Sequence, residues 1–242
     1  MQIERTAASQ SSLLDAARVL SVGVGVGFLA GLLIGGVGGR VAMLVLRLTS
    51  DPALHGALTD DDFTIGVISG ATFFLLGATA FAGALGGVLY LAVRGWIPER
   101  ARAWASAVFF GSIGAAFAIR PDGLDFTLLS PQPLAIAMFI ALPVAFGFAL
   151  SVAVERRLEG PFRSNRGVTI VGLLPLLPLA LLRGAGVFIV LGTLAVWAIG
   201  RSRPRIVAAW NSPPVAWLGR VVLIAFAARA LAEVVRDTAD IL

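Results

Sequence analysis

The stretch from Val19 to Gly39 reads VLSVGVGVGFLAGLLIGGVGG, 21 residues without a charge, bounded by Arg18 and Arg40. Within it Gly23, Gly27, Gly31, Gly35 and Gly39 recur at every fourth position. In water each glycine would cost a helix about 1 kcal/mol relative to alanine. In a bilayer the same spacing lets a second backbone approach closely, and such packing, rather than hydrophobicity, is what associates membrane helices. The stripe therefore predicts a glycine-zipper contact inside a transmembrane bundle. The run is too long for the apolar region of a cleavable leader, and Gly-Gly-Val-Gly-Gly-Arg stands where a small-x-small cleavage site would be. It reads as a first span, preceded by a polar segment over residues 1–18.

Composition extends this reading to the whole chain. Of 242 residues, 58% are hydrophobic and 14% charged, and the mean hydropathy is +0.91; soluble domains carry about 25% charged residues. Cysteine is absent, so disulfides, thiolate catalysis and cysteine-bound zinc are excluded. All 19 basic residues are arginine, which excludes a Schiff-base lysine.

Further uncharged runs lie at Phe63–Val93, Ala103–Ile119, Phe126–Val154, Gly167–Leu182 and Gly184–Gly200. Each approaches or exceeds the roughly 17–25 residues that cross about 30 Å of hydrocarbon. Their connectors alternate in sign. Arg94, Arg100 and Arg102 follow the second run, Arg156, Arg157, Arg163 and Arg166 the fourth, and Arg201, Arg203 and Arg205 the sixth. Asp51, Asp60, Asp61, Asp62, Asp122 and Asp125 occupy the intervening connectors. By the positive-inside rule the arginine connectors and the N-terminus are cytoplasmic. Trp96, Trp104, Trp197, Trp210 and Trp217 fall near the same face, as half of an interfacial aromatic belt. The net charge of +5 then suits an anionic inner leaflet and not nucleic acid.

Two segments admit two readings each. Gly167–Gly200, with Pro175, Pro178 and a turn at Arg183-Gly184-Ala185-Gly186, fits two spans or a re-entrant hairpin. Val215–Leu242 is amphipathic: Arg229, Glu233, Arg236, Asp237 and Asp240 share one face, and Leu223, Ile224, Leu231, Val234 and Val235 another. It fits a seventh span with its polar face turned inward, or a helix lying in the interface. In either case Arg229 and Glu233, four apart, are placed to neutralise each other.

Candidate sites are few. Arg18 and Arg40 are about 33 Å apart along a helix, which puts Arg40 at the outer boundary, with Arg47 two turns on and both away from most of the glycine stripe. Arginine forks there suit an anionic group or lipid phosphate. The second run presents Ser69, Thr72, Thr79, Gly83, Gly86, Gly87 and Tyr90 within about a third of its circumference; such a face either lines a pathway or, more simply, packs on the first helix. Asp60-Asp61-Asp62 near His55 resembles a metal cluster, but acids after Thr59 are what a helix N-terminus favours. Arg120, Asp122 and Asp125 form a turn at the same outer face and complete a speculative ligand-binding set with Arg40 and Arg47. No Asp, Glu or His interrupts the first six uncharged runs, and no catalytic, metal or nucleotide signature is present.

The segments Gly35-Gly36-Val37-Gly38-Gly39-Arg40, Thr59-Asp-Asp-Asp-Phe-Thr-Ile-Gly66, Ala84-Leu-Gly-Gly-Val-Leu-Tyr90 and Pro121-Asp-Gly-Leu-Asp-Phe126 resemble those of a group of small bacterial multi-span membrane proteins of unassigned function. The resemblance covers about the first 155 residues. It implies a bacterial plasma-membrane protein and nothing about activity.

The expected architecture is an all-α polytopic bundle of six to seven spans. Residues 1–18 form the cytoplasmic segment, 19–154 a four-helix core, 155–167 a cytoplasmic loop, and 168–242 a membrane hairpin followed by the amphipathic helix. Gly23, Gly27, Gly31, Gly35, Gly39, Gly83 and Gly87 are its packing glycines. The expected role is a non-catalytic membrane subunit without cofactor or metal, whose partners are lipids and another membrane protein or a second copy. The alternatives are a passive or lipid-type transporter selecting an anionic group at the outer face, and a lipid-modifying enzyme.

Overall fold

The computed structural model describes residues 17–51, 70–121, 130–159, 172–175 and 204–242. Among these, helices are the only regular structure. The aspartate triplet, His55, Asp122, Asp125 and, apart from residues 172–175, the segment 168–200 lie outside the described residues.

The helices in chain order are α1 (Ala17–Thr49), α2 (Gly70–Val93), α3 (Arg102–Ala118), α4 (Gln132–Glu159), the short α5 (Pro204–Trp210) and α6 (Pro213–Ile241). Five of them, all but α5, are long and apolar enough to cross a membrane. The described residues are thus all-helical, with five candidate spans among them.

The first four long helices run antiparallel to their sequence neighbours. At one end of α1, a side chain on Gly23 would meet Leu91 and the Gly87 carbonyl. Further along, Gly27 lies against Gly83 and Gly31 against Thr79 and Gly83. The α3–α4 seam is equally close: Gly111 lies on Val144, Gly114 on Pro143, and Gly147 on the Ser106 carbonyl. Pro143 stands inside α4, and Gly114 opposite leaves room for its ring. Ser50, which is extended and ends α1, is tied to the residues just before α4. The Ser130 amide donates to Ser50 Oγ at 2.9 Å, and Ser50 Oγ donates to the Leu46 carbonyl at 2.7 Å.

From Gly31 to Gly38 helix α1 adopts the wider π form, in which each bond closes over five residues. The effect is visible in what is buried. Gly27 and Gly31 are buried four apart, but the next buried position is Gly36, five on. A side chain on Gly36 would press on Leu76 and on Thr79 Oγ1, at 2.7 and 2.9 Å. The stripe thus passes from Gly31 to Gly36. Gly35 is displaced to the edge of Thr79, and Gly39, though buried, has no atom of another described element within 4 Å of where a side chain would begin. Gly39 is therefore not a packing glycine toward any described residue, because the π turn has rotated it off the stripe.

Helix α6 runs the length of the bundle beside α3. Gly219 lies under the Trp96 ring at one end, and Val234 packs with Leu46, Ala115, Ile119, Ala135 and Ile136 at the other. Its buried face is Ala216, Gly219, Ala230 and Val234. Arg229, Glu233 and Arg236 are exposed, so the polar face is turned away from the described helices and not inward. No ion pair joins Arg229 to Glu233.

Candidate functional site

The most elaborate polar cluster sits where α2, α3 and α4 meet at the end carrying the arginine connectors. Glu155 follows immediately on the uncharged run ending at Val154, yet it lies inside α4, which continues to Glu159. So a carboxylate does belong to one of the helices long enough to span. Its Oε1 accepts from the Tyr90 hydroxyl at 2.6 Å and from Arg94 Nε at 2.9 Å. Its Oε2 accepts from Arg94 Nη2 at 2.8 Å and Arg102 Nη1 at 2.9 Å. The Arg94 contact is the two-pronged fork in which guanidinium and carboxylate match best. Ser151, one turn before Glu155, donates to the Tyr90 oxygen at 3.0 Å. Tyr90 is fully buried, its ring packed with Val22, Leu150 and Val154.

Every member of this cluster has a structural reason for its position. Tyr90 and Arg94 are four apart and share a face as α2 tightens into a final turn over Arg94–Trp96. Arg102 opens α3. Two guanidinium groups against one carboxylate leave a net positive charge, partly relieved by Glu99, 3.7 Å from Arg102. With each Glu155 oxygen accepting two donors, the carboxylate is saturated. It holds three helices together and offers no lone pair for proton transfer.

A tryptophan collar surrounds the same end. Trp96 and Trp210 stack with centroids 4.7 Å apart. Trp96 Nε1 donates to the Trp210 carbonyl at 3.1 Å, and Trp210 Nε1 donates to the Ala92 carbonyl at 2.9 Å. Arg220 Nε then donates to the Trp96 carbonyl at 2.5 Å. Trp104 and Trp217 stand out from the bundle, 69% and 64% exposed. Rings with one apolar side and one polar edge are what a membrane–water boundary selects.

Three of the five outer candidates, Arg40, Arg47 and Arg120, fall among the described residues. Arg40, half-buried, donates to Thr72 Oγ1 on α2 and reaches Met43 Sδ at 3.9 Å. It lies on the stripe and not away from it, because the π turn carries Gly36, and four residues later Arg40, round to face α2. Arg47 is half-buried two turns on. Arg120 is exposed and lies over the Phe117 ring, 5.6 Å from its centroid, while Asp122 and Asp125 fall outside the described residues. The small face of α2 is divided: Thr79, Gly83 and Gly87 meet α1, whereas Gly86 meets Phe146 and Phe110. Among the described residues no group of three or more His, Cys, Asp or Glu is placed to hold a metal ion. No protein-family model, curated protein or solved structure matches this chain.

The Glu155 cluster was not visible in the sequence because Glu155 is 53 to 65 residues from the three side chains that donate to it. One signal was available. Tyr90 is the only tyrosine in the chain, and a buried phenol needs a partner for its hydroxyl.

Proposed function

We propose that this chain is a non-catalytic subunit of a membrane assembly. In this reading it sits in a bacterial plasma membrane with six or seven spans in all, its N-terminus and arginine connectors in the cytoplasm. The observation that carries the reading is the exposed side of α6. Arg229, Glu233 and Arg236 project from it among exposed apolar residues, Leu231 at 53% and Val235 at 62%. No hydrogen bond or ion pair joins the three to other described residues. Arg229 is about 18 Å from the end of α6 at 1.5 Å per residue, well inside a hydrocarbon layer of about 30 Å. A charge left to lipid at such depth costs about 2.5–3.5 kcal/mol or more, so ionisable residues there face protein or water. A partner helix of complementary polarity, from another protein or a second copy, supplies that environment.

The packing of α2 on α1 supports the same reading. The Thr72–Thr79 side of α2, along which a transport path was conceivable, is taken up by α1 and Arg40. A carboxylate as fully occupied as Glu155 serves packing rather than lipid chemistry. The test is photo-crosslinking in living cells from residue 232, which is exposed between Arg229 and Glu233. One discrete protein adduct, abolished by Arg229→Ala with Glu233→Ala, is expected. Adducts with lipid alone would overturn the subunit reading.

A further inference from the structure

Between α2, α3 and α6, at the tryptophan-rich end, lies a cavity of about 420 Å³. That is within the range of about 300–1,000 Å³ typical of small-molecule sites. Its walls are Tyr90 and Val93 of α2, Trp104 and Phe110 of α3, and Leu223 and Ala227 of α6. Carbon lines nearly all of it, and two polar groups stand out. Arg220, exposed on the α6 wall, has its Nε held by the Trp96 carbonyl. Its two terminal nitrogens have no partner, and no acidic residue pairs with it, among the described residues. Ser106, 2% exposed, is also on the wall, and its Oγ lacks a hydrogen-bond partner among the described residues.

We propose that this cavity holds one acyl chain of an anionic phospholipid, with the phosphate on Arg220 and an ester carbonyl within reach of Ser106. The reasoning joins three requirements. An apolar chamber wants a hydrocarbon chain. A guanidinium fixed at Nε presents its remaining fork to an oxyanion, for which phosphate is the matching geometry. A buried hydroxyl without a partner costs free energy until an acceptor arrives. A fatty acid has one polar end and satisfies either Arg220 or Ser106; a glycerophospholipid carries both a phosphate and an ester carbonyl. The surrounding tryptophans are where a headgroup boundary would run. The proposal concerns the opposite side of α6 from Arg229, Glu233 and Arg236 and does not depend on the subunit reading.

The test uses the full chain purified in mild detergent and incubated with phosphatidylglycerol, with zwitterionic phosphatidylcholine, or with palmitate. Native mass spectrometry then counts retained molecules. One phosphatidylglycerol per chain is expected, preferred about tenfold over phosphatidylcholine, because both carry the phosphate that Arg220 would bind but the choline ammonium offsets its charge and competes with the guanidinium. Arg220→Gln, at an exposed position, should erase the preference. Ala227→Phe should fill the chamber and abolish retention of either lipid. If Ala227→Phe fails to fold, Arg220→Gln decides alone. The proposal is overturned if wild type retains no lipid, if Arg220→Gln keeps the preference, if folded Ala227→Phe still retains lipid, or if palmitate is retained in place of phospholipid.

Discussion

Toward α1, helix α2 presents Thr79, Gly83 and Gly87 and is met by bare backbone; toward α4 it presents Gly86, Tyr90 and Arg94 and is met by Phe146, Ser151 and Glu155. The first seam holds by removing side chains, so its strength is dispersion between surfaces in near contact. The second holds by adding side chains whose charges and hydroxyls satisfy one another. The two should fail differently. A seam of absences tolerates no addition, because there is nothing in it to move aside. A seam of partners tolerates no subtraction, because each loss leaves the others buried with charge unmatched.

The sharpest way to break the comparison is to add a side chain to the first seam. Gly31→Leu should cost more than about 3 kcal/mol, since the added atoms meet the Thr79 carbonyl and the Gly83 backbone rather than a yielding side chain. The expected result is loss of folded protein in a detergent-denaturation titration and low accumulation in cells. Normal levels of inserted, folded Gly31→Leu would refute the backbone contact. Gly39→Ala is the control: with open space at its Cβ position, it should be neutral or stabilising by up to about 1 kcal/mol.

Subtraction from the second seam comes next. Glu155→Gln leaves Arg94 and Arg102 facing each other without their counter-charge. Breaking a buried pair in this way costs about 3–5 kcal/mol, reduced here because the arginines are 28% and 15% exposed. Combining Arg94→Gln with Glu155→Gln should cost less than the two single losses added together, by about 1 kcal/mol or more. Strict additivity would mean the cluster is not energetically coupled.

The smallest effect is expected where the seams' two styles mix, at Arg40 and Thr72. Thr72→Val removes the hydroxyl that accepts from Arg40 and should destabilise by about 1–2 kcal/mol. Arg40→Gln should cost a similar amount, and the double variant little more. Destabilisation by Arg40→Gln with none from Thr72→Val would mean that Arg40 gains its stability elsewhere.

How much of this was legible in the sequence follows the same division. Uncharged runs marked α1 to α4, and glycines at fourfold spacing marked the α1–α2 seam, because local periodicity is all that such a contact requires. The π turn was not legible: Gly35 and Gly36 are adjacent, either extends the stripe, and only α2 packed opposite selects the second. Glu155 was read as the start of a loop by ending the span at Val154, although the helix runs five residues further. For α6 the periodicity identified which residues share a face. It did not reveal which face meets the bundle, since that is decided by Trp96 and Ile119 from elsewhere in the chain.

The five-residue step at Gly31–Gly36 leaves α1 written in two frames. Counted in fours from Gly31, a regular helix would bring Gly35 and Gly39 to the seam; the molecule instead brings Gly36 and Arg40, each one place later. Everything beyond the step therefore sits where it would in an unbroken α-helix one residue shorter. A deletion between Leu32 and Gly35 should accordingly be absorbed by relaxing the π turn, with Arg40 still opposite Thr72. The same deletion between Leu20 and Gly27 would turn the rest of α1 by about 100° and send the arginine toward lipid. One short stretch of this helix is where its length is negotiable.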